Sequence, residues 1–109
     1  MDPDHLVFLA QRRQADRDAM ETAWEAAEGA WQSIEALNER IAKGVVYVGE
    51  HPGETKAAKH LASLKRQRDH LALDHEVALF EFRRMEEVYL LSARECRLCG
   101  VPEEEPHAT

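Results

Sequence analysis

From Thr55 to Cys99 the chain runs about 45 residues without a proline or a glycine. Apolar residues recur there at alternating spacings of three and four. The series is Ala57, Leu61, Leu64, Leu71, Ala78, Phe82, Met85 and Tyr89, with Arg68 and His75 as its polar steps. This is helix periodicity of the coiled-coil type. A helix of that length spans ~65 Å at 1.5 Å per residue and needs a partner along its whole apolar edge.

The partner is the stretch before it. Asp2-Pro3-Asp4 suits a helix start, with an acidic cap and a proline in the first turn. A first helix is expected over about residues 4–43, with Gly44 as its stop. Its apolar stripe reads Leu6, Leu9, Met20, Ala23, Ala27, Ala30, Ile34, Leu37 and Ile41, flanked by Trp24 and Trp31. The two indoles read as packing or interface residues, with ligand stacking as the alternative. Residues 44–54, GVVYVGEHPGE, read as the connector, either an apolar plug over the open end or a short strand-like edge. The second helix is expected over about residues 55–99.

A connector centred there makes the residue numbers of facing positions sum to about 98. Leu37 then meets Leu61 and Ile34 meets Leu64. The acidic run Asp18–Glu39 faces Lys59, Lys65, Arg66 and Arg68, and Arg68 falls beside Trp31 as a cation–π contact. The expected fold class is therefore all-α: a long antiparallel two-helix hairpin over residues 1–100. Residues 101–109, VPEEEPHAT, read as a disordered acidic tail.

The second helix has one apolar row too many. Phe82, Met85 and Tyr89 serve the hairpin seam, and Val77, Phe80, Val88 and Leu91 form a further row that a hairpin cannot cover. That row points to a homodimer, a four-helix assembly, or to a different protein partner.

Composition excludes several functions. A net charge of −7 repels phosphate, so neither nucleic acid nor an anionic membrane is an expected partner. No signal peptide and no membrane-spanning run is read, which makes a cytoplasmic location the expectation. No nucleophile-and-base pair stands out, so no enzyme is expected. His70 and Asp74, four apart with Glu25 and Glu28 opposite, read as a wet polar face, with a bundle metal site as the alternative.

The last motif is Cys96-Arg97-Leu98-Cys99-Gly100. It resembles one half of a zinc knuckle. It is also similar to the end of the His-x-x-x-Cys-x-x-Cys motif of zinc-containing anti-sigma factors, although Ser92 stands where that motif has histidine. Three readings stay open: packed helix-end cysteines, a redox pair, or a zinc site. Zinc needs four ligands, from Cys96, Cys99, His5 and His107, or from two cysteine pairs meeting in a dimer. The functional expectation is a non-enzymatic protein–protein interaction module, a small helical regulator or assembly factor. A small zinc-binding regulatory protein is the alternative.

Overall fold

A computed structural model describes residues 2–104 of the chain. Two helices account for nearly all of them: α1 (Pro3–Glu50, 48 residues) and α2 (Thr55–Leu98, 44 residues). They pack side by side in antiparallel fashion, as expected. Asp2 caps α1, its Oδ1 accepting the Asp4 N–H at 3.0 Å, which satisfies one of the free donors of the first turn.

Gly44 does not stop α1. The helix passes through it to Glu50, so Val45, Val46, Tyr47 and Val48 are helical and form neither a plug nor a strand. The reason lies across the seam. Gly44 falls on the apolar stripe, and Leu61 Cδ1 lies 3.1 Å from the place where a Cβ would stand. The residue is a point of close helix approach.

The connector is only His51 to Glu54. Tyr47 fastens it: its ring stacks on His51 at 4.1 Å, and its hydroxyl donates to Glu54 at 2.7 Å. That bond to the Glu54 carboxylate, followed by burial, pushes the Tyr47 phenol above its usual pKa. His51 Nδ1 sits 3.0 Å from the Tyr47 carbonyl, and the Glu54 N–H donates to the His51 carbonyl at 3.0 Å.

The described residues fall into two compact units, 2–23 with 80–104 and 24–79. In the second unit Leu37, Ile41 and Leu64 form a buried cluster, with Leu61 and Leu71 against it. Ala27 and Ile34 are also buried. Gly44 meets Leu61 and Trp31 meets His75, so facing residue numbers sum to about 105. The expected register of 98 is thus corrected. A shorter turn placed later in the chain moves every facing pair by one heptad. Trp31 pairs with His75 at 5.5 Å, and Arg68 bonds Asp69 on its own helix instead. The acidic run of α1 and the basic run of α2 therefore no longer face each other along their length. In the corrected register the basic residues lie nearer the turn than the acidic ones.

In the first unit the same register holds: Cys96 faces Leu9, Ser92 faces Asp16, and Arg12 faces Glu95. Leu9, Cys96 and Val101 are the buried cluster, with Leu6, Ala10 and Cys99 packed against it. α2 ends in a Schellman turn. The Val101 N–H donates to the Cys96 carbonyl at 2.9 Å, the Gly100 N–H to the Arg97 carbonyl at 3.2 Å, and Gly100 has φ of 79°. The Val101 side chain then lies on Cys96, the apolar contact that accompanies this cap. The turn therefore folds the start of the expected tail back onto the helices.

Candidate partner-docking surface

The second apolar row of α2 is where periodicity places it, on the outside. In the first unit Phe80 is 70% exposed, Leu91 64% and Val88 37%; in the second unit Val77 is 68% exposed. These are large side chains on a regular helix, turned away from the seam by the same 3.6-residue period that buries Phe82 and Tyr89 in part. Other exposed apolar residues were not singled out from sequence. In the first unit they are Leu90, Leu98, Val7 and Phe8, and in the second Leu73. For Leu90 and Leu98 the signal was present, since they border the same row. Single exposed leucines on a surface are ordinary.

Phe80, Arg84, Glu87 and Leu91 follow one another at spacings of four, three and four along one face. The row is therefore apolar at both ends and charged in the middle, with opposite signs one turn apart. Arg84 donates to Glu81 at 2.9 Å on its own helix, an exposed pair that is weak in water. Beside the row, Glu87, Leu90, Leu91, Arg94 and Arg97 line a shallow depression of about 480 Å³.

Of the residues named for zinc, Cys96, Cys99 and His5 are described, and the three are not grouped to hold a metal ion. Cys96 is fully buried, and its Sγ–H donates to the Leu9 carbonyl at 3.3 Å. Cys99 is partly buried against the same cluster. His5 is exposed and stacks on Phe8 at 6.5 Å. His107 lies outside the described residues. Among the described residues no group of three or more His, Cys, Asp or Glu side chains is placed to hold a metal ion. Gly100, which suited a knuckle turn, serves the helix cap. His70 and Asp74 are exposed.

A polar cluster that sequence reasoning missed sits in the first unit. Glu104 is nearly buried, with Oε1 2.8 Å from Arg13 Nε and Oε2 bonded to the Arg17 guanidinium. The Tyr89 hydroxyl donates to Oε2 at 3.3 Å, and Arg13 Nη2 donates to the Pro102 carbonyl at 2.9 Å. Bonding to Glu104 is the first cause that raises the Arg17 pKa. Burial, then the negative charge of Glu104, raises that of Tyr89. Arg13 and Ser92 are the buried polar steps of the seam, and Ser92 donates its hydroxyl to Asp16. The cleft next to this cluster, about 370 Å³, is lined by Arg13, Arg17 and Glu104, which pair with one another, and by Arg97 and Glu103. The expectation of a loose tail is corrected for residues 101–104: Val101 is buried and Glu104 is clamped. Residues 105–109 lie outside the described part.

Set against known proteins, the chain matches no family, no curated protein and no solved structure. No described helix is long and apolar enough to cross a membrane.

Proposed function

We propose that this chain is a non-enzymatic protein-interaction module that docks a protein partner along the outer apolar row of α2. The observation that carries the reading is the exposure of Phe80 and Leu91, both in the first unit, on a regular helix whose other face already fills the seam. Fully burying a side chain of this size is worth about 1.5–3 kcal/mol gross, so the row supplies the core of an interface. The neighbouring Arg94 and Arg97 supply a polar rim. A small regulator or assembly factor acts in this way, through a surface and without chemistry of its own.

The test is capture with the full chain as bait, compared between the wild type and a Phe80→Glu, Leu91→Glu variant. Circular dichroism first confirms that both are equally helical. Proteins held by the wild type, a second copy of the chain included, should be lost from the variant. A specific partner that binds both equally would place the docking surface elsewhere.

A further inference from the structure

The outer row of α2 is complementary to itself, and we infer that its occupant is the α2 row of a second copy, running antiparallel. The inference rests on the docking reading and names the partner. An antiparallel helix pair brings residues of the two copies together so that their numbers share a constant sum. With the twofold axis between Met85 and Glu86, Arg84 of each copy meets Glu87 of the other, and Phe80 of each meets Leu91 of the other. The two charged residues that interrupt the row thus become two salt bridges at its centre. Apolar contacts lie on either side of them. A parallel pairing in register would set Arg84 on Arg84 and Glu87 on Glu87, and like charges facing each other oppose association.

A second observation agrees with this register. The depression lined by Glu87, Leu90, Leu91, Arg94 and Arg97 surrounds the position that receives Phe80 of the other copy. A ring that is 70% exposed on one copy therefore has a hole waiting on the other, as knobs-into-holes packing requires. Arg84 must leave Glu81 to make the pair, and that exposed contact is a weak competitor.

Charge reversal tests the register. Sedimentation equilibrium of the full chain should show a dimer. Arg84→Glu alone, or Glu87→Arg alone, should weaken association more than about tenfold, because each puts like charges together twice. The double variant R84E/E87R restores the pairing with signs exchanged and should recover affinity to within about threefold of the wild type. All these positions are exposed, so unchanged helicity by circular dichroism is expected throughout. A dimer indifferent to the single reversals, or a double variant as weak as the singles, overturns this register. A wild type that is monomeric at every concentration but captures another protein through Phe80 and Leu91 overturns self-pairing and leaves the docking reading standing. A dimer unaffected by Phe80→Glu with Leu91→Glu overturns both.

Discussion

Glu104 Oε1 lies 2.8 Å from Arg13 Nε, and the two side chains are among the least exposed charged groups in the first unit. Arg13 comes from about the third turn of α1, and Glu104 from beyond the end of α2. The pair closes residues 101–104 over the helix ends. Replacing Glu104 with alanine strands a buried guanidinium, and losing one member of such a pair costs about 3 kcal/mol. Urea denaturation of Glu104→Ala should show a loss of that order. A change below about 0.5 kcal/mol, the level of an ordinary surface substitution, would mean that the strap is undocked in solution.

The corrected register makes a prediction about cross-links. In a chain with Cys96 and Cys99 changed to serine, cysteines at Ile41 and Leu64 should form a disulfide readily, because those residues share one buried cluster. Cysteines at Ile34 and Leu64 should not, since a shift of seven residues separates them by about 10 Å along the helix axis. Mass spectrometry under mild oxidation reads the outcome. Efficient coupling of the second pair with none of the first would return the hairpin to the other register.

The glycines should separate by context. Nothing lies within 4 Å of a Cβ placed on Gly29, inside α1. Gly29→Ala should therefore stabilise the fold by about 0.5–1 kcal/mol through helix propensity alone. Gly100 has positive φ at the cap of α2, and Gly100→Ala should destabilise by about 1–2 kcal/mol. Gly44→Leu should be worse tolerated than Gly44→Ala, because Leu61 already stands 3.1 Å from the Cβ position. Thermal melts of the four variants order these effects.

The two thiols should react unequally. Cys96 has no exposed surface and donates to a carbonyl, whereas Cys99 is only partly covered. Alkylation under native conditions should label Cys99 well before Cys96, and unfolding should make the rates converge. Equal protection of both, lifted by a chelator together with a fall in melting temperature, would show that a metal holds the pair.

Alkaline pH should weaken the fold through its tyrosines. The folded-state pKa of Tyr89 is raised by burial and by Glu104, and that of Tyr47 by its bond to Glu54. A raised pKa means that the stabilising contribution is fully present below the unfolded value of about 10 and is lost as pH climbs through the folded value. Stability measured between pH 9 and 11 should therefore fall, and fall less steeply in Tyr89→Phe. An identical slope in that variant would detach Tyr89 from the effect.

What sequence alone determined is the seam. Leu9, Ala23, Ala27, Ile34, Leu37 and Ile41 were legible as one stripe, and all six are buried. The outer row of α2 was legible for the same reason, because a 3.6-residue period assigns each side chain a direction before any partner is known. The register was not legible. The expected and observed alignments differ by one heptad, and a heptad pattern slid by seven residues still sets apolar on apolar. Only the turn breaks that degeneracy. Its position depended on whether Gly44 ends a helix or lets two helices touch, and that is decided by Leu61 across the seam. The docking of Glu104 on Arg13 and Arg17 was equally invisible, since ion pairs between residues about ninety positions apart leave no local pattern. Periodicity is a property of one helix, whereas register, close approach and long-range charge pairing are properties of two surfaces in contact.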